Sequence, residues 1–369
     1  MLQAKRANLF DPMLAREQIH QAMAGTGPTV LISSSAKFDP ESENFKSLLS
    51  EKKLGAEQIA VLIETSGSSG TPKLVALSAQ AINSSAKVTN QFLGAEIGDR
   101  WSLTLPLNHI AGINQLTRSI NLETIPAPSD GDGAQFISVV PTQLHRAIQN
   151  KDSLFKNLLA AKKVLVGGAP ISEKLIEEAR ESGISIVTSY GMTEMSGGCV
   201  YNSMPLPGVE MRIDDDGLIN LKGPMIANSY LGDPEATKKH FQGEWFVTSD
   251  LGQVVNGELK INGRSDDLII SGGEKISAVK VEALIRSHFP DLEIIVIGIS
   301  DIEWGQALRV VVAGENRGLT LSQIRDIVGV QIGRFAAPRS LLYLEQMPMI
   351  GIGKPDLVLL RSAQATEEM

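Results

Sequence analysis

The sequence contains a single cysteine, Cys199, in 369 residues. That scarcity excludes an internal disulfide and a zinc cluster built from cysteines. No apolar run approaches the roughly 20 residues that a membrane helix needs. The first residues, Met1 to Asp11, mix charged and polar side chains where a secretory signal would have an apolar core. Basic residues are in deficit as well: 34 Lys and Arg against 42 Asp and Glu leave a formal charge of −8, which argues for solubility and against a nucleic-acid partner. There is no internal repeat or heptad array, and the polar tail from Ala363 to Met369 is expected to fray. A cytoplasmic globular protein is the expectation. The hydrophobic fraction of 43% can fill a large core spread over two or three domains. Cys199 fits such a core better than it fits the role of a nucleophile.

What is present alternates between strand and helix patterns. Trp101 to Leu107 and Phe136 to Val140 read as strands, and Thr142 to Asn150 and Ile113 to Ile120 as helices. Val164 to Val166, a Gly-Gly-Ala-Pro turn, a helix over Ser172–Glu181 stopped by Gly183, and a strand over Ile184–Thr188 form a βαβ unit, which implies parallel strands. After Tyr201 the pattern becomes short β segments. Val209 to Ile213 alternates, Asp216-Gly217 marks a turn, and Asn256-Gly257 predicts a type I′ hairpin. Beyond Arg264 the chain reads as compact α+β, with helices over 278–288 and 321–332 and strands over 293–299 and 308–313. The expected division is an α/β domain over 1–265, including a β-rich subdomain over about 201–264, and a small α+β domain over 266–369.

The segment richest in chemistry is Thr65, Ser66, Gly67, Ser68, Ser69, Gly70, Thr71, Pro72, Lys73, placed between the apolar strand Ile59–Ile63 and a second strand, Leu74–Leu77. Glycines let backbone amides converge, the hydroxyls add donors and Lys73 supplies a cation, so the loop suits a polyphosphate. It is not a Walker A loop, because the lysine follows Gly70 by three residues, Leu74 takes the Ser/Thr place, and the next helix waits for its Ser78 cap.

This loop resembles the phosphate loop of the ANL superfamily of adenylate-forming enzymes, and further motifs follow in the family's order. Ser189-Tyr190-Gly191-Met192-Thr193-Glu194 is similar to its YGxTE segment. The resemblance makes Tyr190 the adenine-stacking residue, Thr193 a phosphate contact and Glu194 the Mg²⁺ ligand. Gly167-Gly168-Ala169 resembles the turn whose backbone approaches adenine, and Asp250, in WFVTSDLG, the acceptor for both ribose hydroxyls. Gly263-Arg264-Ser265-Asp266-Asp267 resembles the hinge, with Arg264 on ribose or phosphate and Asp266 as pivot. Gly272 and Gly273 then line the thiol tunnel after the C-terminal domain rotates. Gly353-Lys354 resembles the C-terminal motif whose lysine bridges carboxylate and α-phosphate, which makes Lys354 the electrostatic catalyst.

The resemblance implies the ANL adenylating-enzyme fold, with a large N-terminal α/β domain and a mobile C-terminal one. It also implies ATP, Mg²⁺ and coenzyme A as reactants alongside a small carboxylic acid. His109, in Leu105-Pro106-Leu107-Asn108-His109, would edge and gate the acyl pocket. Taken with VVPTQL and YGMTEMSGGCVYNSMPLPGVE, the run LPLNHIAGINQLTRS is most similar to the family branch acting on o-succinylbenzoate, an aromatic dicarboxylate, in menaquinone biosynthesis. Arg118 is then either the holder of the carboxylate that is not activated or a helix-surface arginine, with Thr142, Ser196 and the Gly197-Gly198 turn shaping the pocket instead. Three alternatives stay open: another acyl- or aryl-CoA synthetase, an acyl-AMP ligase loading a carrier protein, and a non-catalytic nucleotide-binding homologue. The oligomeric state is likewise open, a homodimer included. The family's usual N-terminal segment is longer than the 64 residues found here before the loop, and Leu74 stands where many relatives have glycine.

Overall fold

Consecutive apolar residues suit a strand covered on both faces, and in the computed structural model Ile59 to Ile63 are fully buried. The structure describes residues 3–33, 35, 38–50, 58–65, 72–265, 268–290, 292–314, 318–350 and 354–369. The first layer contains β1 (Ala4–Arg6), α1 (Pro12–Ala24), β2 (Thr29–Ile32), α2 (Glu43–Ser50), β3 (Ile59–Thr65), β4 (Lys73–Ser78) and α3 (Ala79–Leu93). The strands β1, β2 and β3 are parallel, and β4 returns antiparallel to β3. Ser78 caps α3 by accepting from the Ala81 amide.

After α4 (Ile110–Asn121) comes the second layer: β5 (Phe136–Val139), α5 (Pro141–Asn150), α6 (Ser153–Ala160), β6 (Lys163–Gly167), α7 (Glu173–Glu181), β7 (Ile186–Met192), β8 (Gly197–Tyr201) and β9 (Met204–Pro205). Its order is β5-β6-β7-β8-β9. As the βαβ pattern requires, β5, β6 and β7 are parallel. Parallel pairing ends at Ser189, opposite Gly167, and the strand continues through Met192 antiparallel to β8.

Short strands follow: β10 (Glu210–Ile213), β11 (Leu218–Lys222), β12 (Ser229–Tyr230), then α8 (Pro234–His240), β13 (Phe241–Gln242), β14 (Trp245–Val255) and β15 (Glu258–Arg264). Of these, β12 joins the first layer beside β4, giving the order β1-β2-β3-β4-β12. The turn joining β14 to β15 has φ of 53° at Asn256 and 85° at Gly257, as a type I′ turn demands. The remaining elements are β16 (Leu268–Ser271), β17 (Glu274–Ser277), α9 (Ala278–His288), β18 (Glu293–Asp301), β19 (Gly305–Ala313), α10 (Leu321–Gln331), β20 (Ser340–Leu344), β21 (Met349–Ile350), β22 (Lys354–Pro355), α11 (Leu357–Ser362) and β23 (Glu367–Glu368). Their sheet runs β17-β16-β19-β20-β23 with β18 on β19, and α9 and α10 pack Val281, Ile285, Ile324 and Val328 into its core.

By internal contacts the chain divides into two units. One comprises Met1–Arg212, Asn220–Thr248 and Asn256–Glu258; the other comprises Ile213–Ile219, Ser249–Val255 and Leu259–Met369. The fold is mixed α/β, as expected. Among the described residues no helix is long and apolar enough to cross a membrane.

Two expectations need correction. Trp101 to Leu107 forms no continuous strand; only isolated bridges, Trp101 with Phe136 and Ser102 with Ala127, are made. Pro106 has no amide to offer a ladder, and the Leu105 amide donates instead to the Gln115 side chain. The tail does not fray completely either. Glu367 and Glu368 pair with Leu341 and Ser340, and the Glu367 carboxylate accepts from the Leu321 amide at the start of α10.

Cys199 sits on β8 with no exposed surface, and burial pushes its thiol up to about 12. The thiol therefore stays protonated at neutral and mildly alkaline pH. Native protein should give no reaction with a thiol-specific chromogenic disulfide at pH 8, and one equivalent after denaturation. Rapid labelling of the native state would contradict this placement.

Candidate active site

The first unit brings together residues from three of the sequence motifs. Thr65 and Lys73 are paired at the ends of β3 and β4 that flank the expected phosphate loop. The loop itself, Ser66, Gly67, Ser68, Ser69, Gly70 and Thr71, lies outside the described residues. The Lys73 ammonium stands 4.7 Å from the centre of the Tyr230 ring. The hydroxyl of that tyrosine donates to Glu194 Oε1 at 2.7 Å. Glu194 is carried on a single 3₁₀ turn, Thr193–Met195, directly after β7. Backbone bonds knit these pieces together: Ala227 N donates to Glu194 O at 2.7 Å, Asn228 N to Ala76 O at 2.9 Å, and Leu231 N to Leu74 O at 2.7 Å.

Glu194 Oε2 accepts no hydrogen bond among the described residues, which leaves it for a cation. Among those residues no three acidic, histidine or cysteine side chains cluster as a metal cage. This arrangement fits Mg²⁺, which takes one or two carboxylates and completes its shell with phosphate oxygens and water.

Along β7, Tyr190, Gly191 and Met192 run beside β8. A Cβ on Gly191 would lie 2.0 Å from the Gly197 carbonyl oxygen, so only glycine permits this approach. Gly167 ends β6 beside Ser189, and Gly168 and Ala169 are exposed in the turn beyond it. Ser196 is an anchor: its hydroxyl donates to Met225 O at 2.8 Å, and its carbonyl accepts from Ser85 Oγ and Asn114 Nδ2. Gly197 is buried beside it, whereas Thr142 is exposed in the first turn of α5. His109 is exposed at the N-cap of α4.

Arg118 is no surface arginine. It is 3% exposed. Its guanidinium lies 4.6 Å from the centre of the Trp101 ring, and Nη2 donates to the Tyr201 hydroxyl at 3.3 Å. Tyr201 is held in turn by Thr89 at 3.0 Å, and the Trp101 indole donates to Asn90 at 3.0 Å. Arg118 Nε is buried without a hydrogen-bond partner, and among the described residues no carboxylate pairs with the guanidinium. Burial lowers its pKa from the ordinary value, with Tyr201 acting in the opposite direction.

The second unit carries the remaining motif residues. Arg264 Nη1 donates to Asp250 Oδ1 at 2.9 Å, so the carboxylate assigned to ribose already has a cationic neighbour. Asp266, the expected pivot, lies outside the described residues. Gly272 and Gly273 form the turn between β16 and β17, where the Gly272 amide donates to the Trp304 carbonyl at 3.0 Å. Lys354 pairs through its backbone with Ile350. Its side chain and Gly353 lie outside the described residues.

Tyr230, Trp101 and Asn90 had no motif to mark them, and Tyr201, although inside the run that begins at Tyr190, had no role assigned to it. Each acts through partners distant in the chain, and the spacing of Tyr230 from Lys73 or Glu194 carries no signature.

Comparison with known proteins identifies the family. The AMP-binding enzyme family model matches residues 8–124 and 128–231, and the AMP-binding enzyme C-terminal domain model matches residues 280–354. A Mycobacterium tuberculosis protein named "Probable 2-succinylbenzoate--CoA ligase" is 32% identical over 336 residues, covering 84% of this chain and 87% of that protein. The o-succinylbenzoate CoA synthetase of Bacillus subtilis, solved with its acyl-adenylate intermediate, is 25% identical with a TM-score of 0.73, covering 99% of this chain and 89% of that one. E. coli MenE, solved with an analogue of OSB-AMS, is 28% identical with a TM-score of 0.67 over 80% of this chain and 68% of its own. On its motifs, its fold and these matches, the chain belongs to the AMP-binding family of adenylate-forming enzymes.

Proposed function

We propose that this chain is an o-succinylbenzoate–CoA ligase that activates its acid with MgATP and passes the acyl group to coenzyme A, as a step of menaquinone biosynthesis. The observation that carries the choice of acid is Arg118. A buried guanidinium without a counter-ion bears an uncompensated desolvation cost, and a dicarboxylate can supply the missing charge through the carboxylate that is not activated. The relatives named for this reaction support the same choice.

In the first half-reaction, an oxygen of the substrate carboxylate attacks the α-phosphorus of ATP and pyrophosphate leaves. In the second, the coenzyme A thiolate attacks the acyl carbon and AMP leaves. Negative charge grows on phosphate oxygens during the first step, so positioned cations are the chief requirement and no protein nucleophile is needed. Lys73 and the phosphate loop from Thr65 to Thr71 hold the polyphosphate, and Lys354 bridges the reacting carboxylate and the α-phosphate. Glu194 and the phosphates would hold Mg²⁺, which neutralises charge on the leaving pyrophosphate. Tyr190 stacks on adenine, with Ser189, Gly191, Met192, Gly167, Gly168 and Ala169 forming the surrounding backbone. Thr193 contacts phosphate, and Asp250 and Arg264 take the ribose end. His109 edges the acyl pocket, which Thr142, Ser196 and Gly197 help to shape. Rotation about Asp266 would then bring Gly272 and Gly273 to the thiol.

Pyrophosphate release across a panel of o-succinylbenzoate, benzoate and short and long fatty acids tests this reading. It should show strong selectivity for o-succinylbenzoate, with thioester formed only when coenzyme A is present. Preference for another acid would sink the substrate assignment and keep the chemistry. Arg118→Lys, which keeps charge but loses the planar fork, should raise KM for o-succinylbenzoate roughly 10- to 100-fold, the worth of a charge-assisted pair. Turnover of benzoate, however slow, should change by less than about 2-fold, since it lacks the group that Arg118 would hold. Lys354→Ala should slow adenylation by roughly 10²- to 10³-fold and spare thioester formation from pre-formed acyl-adenylate. Equal losses in both half-reactions would contradict its assigned role.

A further inference from the structure

We infer that Tyr230 is a positioning residue for adenylation, a spacer that holds Lys73 and Glu194 side by side while preventing them from neutralising each other. The inference rests on the reading of Lys73 as the phosphate cation and Glu194 as the metal-binding carboxylate. An ammonium and a carboxylate close together at a partly buried site form an ion pair by default. Such a pair would withdraw from ATP and its metal the two charges that the site offers. No ion pair joins Lys73 and Glu194 here. Instead the ammonium faces the Tyr230 ring at 4.7 Å, and the carboxylate accepts from the hydroxyl of the same side chain at 2.7 Å. The π face attracts a cation without cancelling its charge. The phenol hydrogen bond engages one carboxylate oxygen, Oε1, and leaves Oε2 for the metal.

The surroundings fix this side chain. Tyr230 lies opposite Val75 in β12, and Leu231 N donates to Leu74 O, so its backbone is registered against the strand that begins at Lys73. Its ring packs edge-on against His240 and Phe241, at 6.0 Å and 5.4 Å between ring centres. The hydroxyl can therefore reach Glu194 while the ring face stays toward Lys73.

Binding of Mn²⁺, followed by electron paramagnetic resonance with the full chain and a saturating non-hydrolysable ATP analogue, tests this without turnover. Tyr230→Phe keeps the ring and its packing, and should weaken Mn²⁺ binding roughly 10- to 100-fold, the scale of one hydrogen bond to a charged group. Tyr230→Leu removes both contacts and should weaken it further, because Lys73 can then close on Glu194. Adding Lys73→Met to Tyr230→Leu should restore part of the Mn²⁺ affinity, a recovery that loss of packing alone does not produce. Melting temperatures establish that each variant is folded. If both tyrosine variants bind Mn²⁺ within about 2-fold of the parent while Glu194→Gln weakens it, the spacer role is wrong and the metal assignment stands. If Glu194→Gln has no effect, the metal assignment fails and the inference goes with it.

Discussion

The segment from Ala227 to Leu231 ties β4, the strand that begins at Lys73, to the turn that carries Glu194. Two of its amides donate to β4, and a third donates to the Glu194 carbonyl. Registry between these pieces is therefore set by main-chain bonds, which hold positions more tightly than long side chains could. On that frame the site keeps opposite charges close without letting them pair. A tyrosine that turns its ring to Lys73 and its hydroxyl to Glu194 makes this possible.

Arg118 obeys the same logic in a different setting. Its guanidinium is held by an aromatic face and a phenol, not by an acid, so its charge remains available. Indole, phenol and carboxamide groups from α3, β8 and the chain ahead of α4 form the support, each fixed by a further hydrogen bond. Protein interiors seldom keep an arginine so poorly compensated without a use for it. In both places an aromatic side chain, not an opposite charge, stands beside the cation.

Much of this was legible in the sequence. The strands flanking the phosphate loop, the parallel βαβ unit, the Asn256-Gly257 turn and the helices of the C-terminal unit all follow from periodicity, caps and turn chemistry. The failures have physical causes. Trp101 to Leu107 has the composition of a strand, but Pro106 and side-chain partners from α4 divert its backbone groups. The burial of Arg118 was hidden because every residue from Gly112 to Ser119 is buried, polar ones included, so the helix offers no amphipathic stripe to read. A faint signal existed: neither Asn114 nor Leu122, one turn away on either side, gives Arg118 an acidic partner. The tail looked disordered by composition, yet Glu367 finds the open amides at the start of α10.

The strand order of the first layer also bears on how the protein is made. The edge partner of β4 is β12, which is translated only after the whole of the second sheet, β5 to β9, has been completed. Until then β4 presents an unpaired apolar edge on a nascent chain, the kind of surface that invites wrong partners. Tyr230 belongs to that late strand. The contacts among Lys73, Tyr230 and Glu194 are therefore assembled near the end of synthesis of this unit, by the same strand that protects the edge.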